Sequence, residues 1–307
     1  MRASVLVLVT LLGAAVIARS DLPGSEVIWR AIDTKIAHWD WDLLGWETAA
    51  IRSKVNAQFL QPVAGMNEEG RNALVQEYLN RSQQIAQTEN ALGTLYADQV
   101  HQDKTQISQL EARLQGLKAQ QALVQPAVEQ IVEQQIAHEL QKTGIQFWGQ
   151  IFPPVWFTFS EPPRKLVVSP RDRIDTVYWG MLDPMLPPDE RERIEDTILR
   201  DQGLSAYVTN IGGLGAYPTL VVDRASLPWV LSTVAHEWVH NYLTLFPLGF
   251  NYGVNAETTI LNETIADIVG DEVGARALAT YYPELVREHP GKDEPAPTSS
   301  QHDDTPI

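Results

Sequence analysis

His236 and His240 stand four positions apart and enclose a glutamate, Glu237. On a helix, residues four apart lie on one face, so the two imidazoles can converge on a single ion while Glu237 projects beside them. Zinc prefers nitrogen and oxygen ligands of this kind, and a catalytic zinc takes three from the protein and keeps one position for water. The spacing therefore predicts a metal site with a carboxylate next to it.

Glu263 is the candidate third ligand, and 22 residues, positions 241 to 262, separate it from His240. Asp267 follows one helical turn later on the same face. A second carboxylate there can accept the outward N–H of a ligating histidine, which fixes the tautomer and orientation of the ring. The competing interpretation buries the two histidines as caps of backbone groups and leaves Glu263 and Asp267 on a solvated face.

Two helices must position these residues. The first is predicted around the histidines, with Ser226 as N-cap and Pro228 in its first turn, and the second from an N-cap at Asn255. Gly270 and Gly274 continue one face of the second helix, which predicts a close approach of the two helices. Apolar residues recur at helical spacing in both, namely Leu227, Val230, Leu231, Val234, Val239 and Leu243, then Ile260, Leu261, Ile265, Ile268, Val269 and Val273.

The sequences HEWVH at 236–240 and NETIAD at 262–267 resemble the gluzincin metallopeptidases, the clan of thermolysin-like enzymes and zinc aminopeptidases. The resemblance covers about residues 212–271 and implies a zincin-like domain that hydrolyses peptide bonds with one Zn²⁺ ion per chain. It assigns His236, His240 and Glu263 as zinc ligands, Glu237 as general base, and Asp267 and Asn262 as the residues that orient His236 and His240.

A glycine-rich stretch, Asn210–Thr219, precedes the first helix. The gluzincin resemblance implies an edge strand here, with which an extended substrate pairs through main-chain hydrogen bonds. Glycine permits close backbone approach, and Pro218 suits an edge strand rather than a central one. The residues expected to contact substrate are Gly213, Leu214, Gly215 and Ala216. The alternative is an ordinary glycine-rich turn.

A tyrosine between the two motifs, Tyr252, is the first candidate for a second catalytic role. Hydrolysis of an amide passes through a tetrahedral oxyanion, which needs a hydrogen-bond donor besides the metal. Tyr281, Tyr282 and His289 are the alternatives. The expected catalytic pair is therefore Glu237 and Tyr252.

The composition limits the partners of the chain. A formal net charge of -16 argues against nucleic acid and against anionic membrane surfaces. The chain contains no cysteine, so strong metal ligands must come from histidine, aspartate and glutamate. We expect a peptide or protein as substrate and no nucleic acid as partner.

Residues 1–20 carry Arg2 and an apolar run from Ala3 to Ala18. The run is slightly shorter than the about 20 residues of a spanning helix, so the pattern predicts either a cleaved signal peptide or a single N-terminal membrane anchor. In both cases the rest of the chain is expected outside the cytoplasm, either anchored to the membrane or secreted.

Residues 21–146 are predicted to form a helical domain. Apolar residues recur at heptad-like spacing from Leu74 to Leu95 and from Ile107 to Val124, and Pro126 is expected to begin a new helix. The pattern fits a helical bundle, a hairpin or a coiled coil, and it allows self-association through this region.

Residues 147–288 are predicted to form the catalytic domain, with a short mixed sheet and the two site helices. Its strands are predicted at 165–168, 176–182, 204–209 and 220–222, and a charged helix at 187–202. Residues 289–307, rich in proline, acid and serine, are predicted to be a disordered tail. The expected fold class is α+β, with a mainly helical N-terminal region before a small zincin-like domain.

The sequence supports two functions. One is zinc-dependent peptide hydrolysis by an exported or membrane-anchored enzyme. The other is a non-catalytic helical scaffold of the cell envelope, whose peptidase-like domain is degenerate or holds metal for structure. Glu237 favours the enzyme, because a structural zinc site needs no base.

Overall fold

The computed structural model describes residues 26–60, 63–97, 103–146, 149–173, 175–211, 213–214, 216–252 and 256–288. The segment predicted as a signal or anchor, 1–20, and the predicted tail, 289–307, lie outside these residues, as do Gly215 and Asn255. Within them the chain is mostly helical with short strands, which agrees with the predicted α+β class. None of the described helices has the length and apolar character needed to cross a lipid bilayer.

The N-terminal region is helical. Its helices are α1 (Glu26–Ile36), α2 (Leu43–Leu60), α3 (Glu68–Ala97) and α4 (Lys104–Thr143). α3 and α4 pack side by side in opposite directions, since Glu89 pairs with Lys118 and Asn72 with Gln135. The region is therefore built on an antiparallel helical hairpin rather than on an extended coiled coil.

Pro126 does not begin a new helix, as the sequence predicted, but lies inside α4. A proline inside a helix costs about 3 kcal/mol, because it lacks the N–H and its ring crowds the preceding turn. The residues that follow offset this cost: Val128, Ile131 and Val132 are at most 1% exposed. Burial of each such side chain contributes about 1.5–3 kcal/mol, so tertiary packing carries the helix through the proline.

The described strands form two three-stranded sheets. In the first, β2 (Arg164–Ser169) lies between β3 (Tyr178–Leu182) and β4 (Ser205–Asn210) and is antiparallel to both. In the second, β6 (Thr219–Val221) lies between β1 (Phe157–Phe159), which is parallel to it, and β5 (Gly213–Leu214), which is antiparallel. The predicted strands therefore form within one or two residues of their expected bounds.

The remaining helices follow the strands or connect them. They are α5 (Pro188–Gln202), α6 (Leu227–Leu243), α7 (Pro247–Phe250), α8 (Ala256–Tyr281) and α9 (Pro283–Glu288). α5 packs on β4 and α1 and completes a small core over the first sheet. α6 and α8 pack along each other, and both also contact α4.

The larger core extends across residue 147, the expected boundary between domains. It contains side chains of the hairpin, such as Tyr78 and Ile136, and side chains of the later elements, such as Phe157, Leu231 and Val273. The hairpin and the helices α6 and α8 therefore bury one another's apolar faces in one continuous core.

A buried charged cluster fixes β1 against the hairpin. Lys54 Nζ, on α2, lies 2.6 Å from Glu129 and 2.7 Å from Glu133, both on α4. Glu129 Oε1 also accepts hydrogen bonds from the backbone N–H of Phe159 and from the hydroxyl of Thr158. Burial raises the pKa of Glu133 to about 7, although the charge of Lys54 opposes this rise. The cluster holds β1, and through it the neighbouring strand β6.

Candidate metal centre

α6 presents His236 and His240 to α8, with Glu237 beside them. Trp238 is buried, and its Nε1–H donates a hydrogen bond to the carbonyl of Pro153 at 2.8 Å. Ser226 occupies the N-cap position with an extended backbone, although its side chain makes no capping hydrogen bond. The apolar side chains that bury the rest of the helix are Leu227, Val230, Leu231, Val234, Ala235, Val239 and Leu243. This burial sets the direction in which the site residues project.

Two glycines of α8 allow it to lie against α6. A Cβ atom on Gly270 would stand 2.9 Å from the Cβ of His236, and one on Gly274 would stand 2.7 Å from the N and Cα of Ser232. Contacts this short are not tolerated, so any side chain at Gly274 would push the helices apart. The predicted close approach is confirmed, and it brings Glu263 within reach of the histidines.

The three candidate ligand atoms meet at one point. His236 Nε2 lies 3.0 Å from His240 Nε2, and Glu263 Oε2 lies 3.6 Å and 3.5 Å from these two nitrogens. In a tetrahedral zinc site with ligand bonds of about 2.0–2.1 Å, two ligand atoms are roughly 3.3 Å apart. The spacing therefore fits one zinc ion. Among the described residues, this is the one group of three histidine and carboxylate ligands close enough to hold a metal.

The outward nitrogens of both histidines face acceptors on α8. His240 Nδ1 lies 2.6 Å from Asn262 Oδ1, and His236 Nδ1 lies 3.0 Å from Asp267 Oδ1. An acceptor at Nδ1 favours the tautomer that carries its hydrogen there and keeps a lone pair on Nε2. Two Nε2 lone pairs and a carboxylate oxygen then face one point, which suits a cation. The competing interpretation, in which the two histidines cap backbone groups, does not account for these distances, although the Asp267 side chain is 58% exposed.

The charges at the site favour proton binding where no metal is bound. Burial lowers the pKa of His240, but hydrogen bonding to Glu263 and the charges of Glu237 and Glu263 more than compensate, so this pKa is raised. Burial raises the pKa of Glu263, but its hydrogen bond with His240 and the charge of that ring lower it to about 2. A cation entering the site therefore competes with the proton on His240.

Tyr252 binds the other oxygen of the candidate ligand. Its hydroxyl donates a hydrogen bond to Glu263 Oε1 at 2.6 Å, and its ring centroid lies 5.8 Å from that of His240. Burial and the neighbouring carboxylate raise the pKa of Tyr252, so the hydroxyl keeps its proton at neutral pH and remains a donor. In the structure the Tyr252 hydroxyl thus donates its hydrogen bond to Glu263, whereas the sequence predicted a hydrogen bond to the oxyanion of the reaction.

The alternative oxyanion donors have partners in the core and on α4. The Tyr282 hydroxyl donates to Gln135 at 3.0 Å and is fully buried, and the Tyr281 hydroxyl contacts His138. His289 lies outside the described residues. Of the tyrosines proposed from sequence, Tyr252 is the one that the structure brings to the candidate metal ligands.

The strand expected to bind substrate lies next to α6. β5, formed by Gly213 and Leu214, is at the edge of its sheet among the described strands, and both β5 and β6 contact α6. Ala216 follows the strand and is 4% exposed, so its side chain belongs to the core rather than to an open edge. Gly213 and Leu214 therefore match the predicted geometry, whereas Ala216 contributes at most its backbone.

Two buried polar residues that the sequence analysis did not single out hold the turn after β5. The Asn241 side chain, next to His240, donates to Thr219 Oγ1 at 3.0 Å and to the Ala216 carbonyl at 3.4 Å. Glu47, on α2, accepts the backbone N–H of Tyr217 at 3.1 Å. Asn241 could have been found from the sequence, because it is a polar residue on the apolar side of α6. Glu47 is too distant in sequence to have been found.

Glu237 is a further residue at the site that can take part in acid–base chemistry. Glu237 follows His236 directly on α6, and its negative charge raises the pKa of both His240 and Tyr252. The site thus combines three candidate ligands for one cation with a separate carboxylate that can accept a proton. Groups of this kind support metal-assisted hydrolysis.

No match to the chain was found among protein-family models, curated proteins or solved structures. The gluzincin resemblance accordingly extends no further than the motifs at 236–240 and 262–267 and the segment between and around them.

Proposed function

We propose that the protein is a gluzincin-like zinc metallopeptidase. The observation that carries the proposal is the convergence of His236 Nε2, His240 Nε2 and Glu263 Oε2 at 3.0–3.6 Å from one another. Two further observations support it: each histidine has an acceptor at its outward nitrogen, and Glu237, next to His236 on α6, is not a member of the group of three candidate ligands.

Each residue of the site has its own role in the proposed hydrolysis. A zinc ion held by His236, His240 and Glu263 would supply a Lewis acid that lowers the pKa of a water molecule and polarises the scissile carbonyl. Glu237 accepts the proton of the attacking water and delivers it to the departing amine. Asp267 and Asn262 keep the imidazoles in the tautomer that presents Nε2. The edge strand β5 offers main-chain groups with which an extended peptide can pair.

The zinc content of the purified protein tests the ligand set. We expect about one zinc per chain in the wild type and a sharply reduced content in Glu263→Ala. Glu272→Ala is the matched control, because Glu272 lies on the same helix and pairs with Arg276 at the surface. A folded wild-type sample that holds no zinc in the presence of excess metal would overturn the proposal.

Cleavage of a mixed peptide library tests the reaction. We expect the wild type to cleave in a chelator-sensitive manner, and Glu237→Gln to keep its zinc while losing about 10²–10⁴ in rate, because the general base is removed. Zinc binding without any cleavage would instead indicate a structural metal centre. The non-catalytic scaffold would then be the better account.

We also propose that the protein works outside the cytoplasm, secreted or held by residues 1–20 at the membrane. The support is the apolar run from Ala3 to Ala18 in the sequence. Fractionation of cells that express the chain with and without residues 1–20 tests this location. Cytoplasmic recovery of both forms would contradict it.

A further inference from the structure

Glu47 is a buried carboxylate of the helical region that the proposed hydrolysis does not use. It lies on α2, is 4% exposed and accepts the backbone N–H of Tyr217 at 3.1 Å. Burial raises the pKa of Glu47, and the hydrogen bond from Tyr217 opposes this rise. In the part of the chain that the structure describes, no cationic side chain pairs with it. Because a buried carboxylate without a cation is costly, the contact with Tyr217 has to be explained by something other than stability.

The N–H that Glu47 accepts belongs to the turn after β5, residues 216–219. Two other parts of the fold hold the same turn. The side chain of Asn241, which directly follows His240 on α6, donates two hydrogen bonds to it. Carbonyl groups of the segment 154–156 accept two more from it. Asn241 thus joins the turn to the helix of the candidate ligands, and Glu47 joins it to the helical region.

The strand β5 depends on this turn for its position. It consists of Gly213 and Leu214 alone, and it pairs with β6 on one side. Among the described strands, none lies on its other side. The turn 216–219 follows β5 within two residues and leads into β6, and both strands contact α6. A displacement of the turn would therefore move β5 relative to the metal centre.

The other outer strands of the two sheets are covered by neighbouring groups. Glu129 and Glu133 of α4 accept backbone N–H groups of β1 at 2.8 and 3.2 Å, and Glu195 of α5 accepts one of β4 at 2.8 Å. Trp41 donates its backbone N–H to a carbonyl of β3 at 3.0 Å. An extended peptide adds to an uncovered strand edge through main-chain hydrogen bonds. Of the outer strands described, β5 is thus the one with an edge suited to such a peptide.

We propose that Glu47 is a positioning residue for the substrate, which holds the turn after β5 so that β5 presents its outer edge to an extended peptide at a fixed place along α6. The helix α2 is thereby part of the substrate-binding machinery. The hold on the turn requires neither zinc nor turnover, whereas its effect on peptide cleavage rests on the proposed peptidase function.

The variant Glu47→Met tests the hold on the turn, because methionine has a similar volume but offers no acceptor to Tyr217. An apolar residue can replace a buried charged group at little cost, so the Tm should equal or exceed that of the wild type. We nevertheless expect the backbone amides of residues 213–221 to exchange about tenfold faster, since the turn loses a hydrogen bond to a carboxylate. Hydrogen exchange of the full chain, measured by mass spectrometry, gives these rates.

Peptide kinetics test the effect on the substrate. For a peptide of about eight residues, Glu47→Met should raise KM about tenfold and leave kcat nearly unchanged, because substrate binding is weakened and the chemistry is not. A blocked dipeptide is too short to pair with β5, so its KM should not change. A substitution that merely lowered the folded fraction would reduce kcat for both substrates and leave both KM values unchanged.

Two further variants serve as controls. Glu47→Gln keeps an acceptor oxygen, and its exchange rates and KM should stay within about twofold of the wild type. Glu139→Met is the matched control, because Glu139 is also buried, 1% exposed, but lies on α4 and pairs with Lys142 at 2.8 Å.

Unchanged exchange of residues 213–221 in Glu47→Met, or equally faster exchange in Glu139→Met, would overturn the proposal. So would a change of KM in Glu47→Met that is the same for the long and the short peptide, or absent for both. If the wild type cleaves neither peptide, the peptidase function fails instead, and hydrogen exchange still decides whether Glu47 holds the turn.

Discussion

The carboxylate of Glu263 has two oxygens with different partners. Oε2 faces the histidine nitrogens at 3.5 and 3.6 Å, while Oε1 accepts the hydroxyl of Tyr252 at 2.6 Å. A carboxylate held in this way offers one oxygen to a metal and is prevented from rotating. Tyr252 is therefore placed to orient the proposed ligand Glu263, a role that the sequence did not suggest.

Replacement of this tyrosine separates the two roles. In Tyr252→Phe we expect the zinc dissociation constant to rise about 10–100-fold, because an outer hydrogen bond to a ligand is lost, with little change of kcat at saturating zinc. Chelator competition and peptide turnover measure the two quantities, and Tyr207→Phe on β4, 64% exposed, is the control. An unchanged zinc affinity with kcat reduced about 10²–10³-fold would identify Tyr252 as an oxyanion donor instead.

The raised pKa of His240 gives the site a defined pH dependence. Without metal, the charged imidazole stabilises the fold fully below its ordinary pKa of 6.5, and this contribution is lost as pH rises through the raised folded value. The Glu263 pKa is lowered from 4.5 to about 2, so its contribution is present above pH 4.5 and is lost as pH falls toward 2.

Under the proposed function, zinc displaces the proton from the His240 ring, so zinc binding strengthens as pH rises, whereas the stability contributed by the charged ring falls. We expect the increase of Tm produced by a fixed free zinc concentration to grow from pH 6 to pH 8. Calorimetric scans with and without zinc measure it. In Glu263→Ala the zinc-induced increase should be small at both pH values. An increase in the wild type that is equal at both values would contradict the assignment of His240 as a ligand.

At the scale of elements, the contact between α6 and α8 decides whether the site exists. Both helices were predictable from apolar spacing, and the glycines at 270 and 274 predicted that they would touch. At Pro126, by contrast, the local sequence gave a wrong prediction. It predicted the start of a helix, but the buried residues that follow Pro126 keep α4 continuous. Local sequence patterns predicted a helix boundary correctly where tertiary packing favoured the same boundary.

Gly274→Ala tests this contact. The added methyl would meet the backbone of Ser232 at 2.7 Å, so we expect a loss of about 1–3 kcal/mol in the free energy of unfolding, together with weaker zinc binding as Glu263 moves away. Urea denaturation and zinc titration measure these changes.

Gly116→Ala, on α4, is the matched control, since nothing lies within 4 Å of its added methyl. Because alanine favours a helix over glycine, this variant should gain about 0.5–1 kcal/mol. Equal effects of the two substitutions would mean that the glycine at 274 serves no packing role.

At the scale of the molecule, the helical hairpin and the site helices form one unit. Ile131, Val132 and Ile136 of α4 belong to the same core as Leu231 and Val273. The sequence predicted a helical domain and a catalytic domain that meet near residue 147, because composition changes there. Composition reports the kinds of elements present, but it does not report which elements share a core.

A fragment of residues 147–288 should therefore not fold alone. Removal of α4 would expose the apolar sides of α6 and α8, and we expect the fragment to lack a cooperative thermal transition and to bind zinc weakly. Circular dichroism and zinc content, compared with a chain of residues 26–288, measure this. A fragment with a sharp transition and one zinc would show that the hairpin is a separate domain.

The sequence by itself determined the candidate ligands, because His236, His240 and Glu263 lie at spacings that a helix converts into shared faces. It also determined the class of most elements, since apolar periodicity is a local property. The direction of the Tyr252 hydroxyl, the anchoring of the β5–β6 turn by Asn241 and Glu47, and the core that the hairpin shares with α6 and α8 were decided by tertiary structure alone. These features depend on contacts between distant parts of the chain, and no local pattern encodes which distant groups will meet.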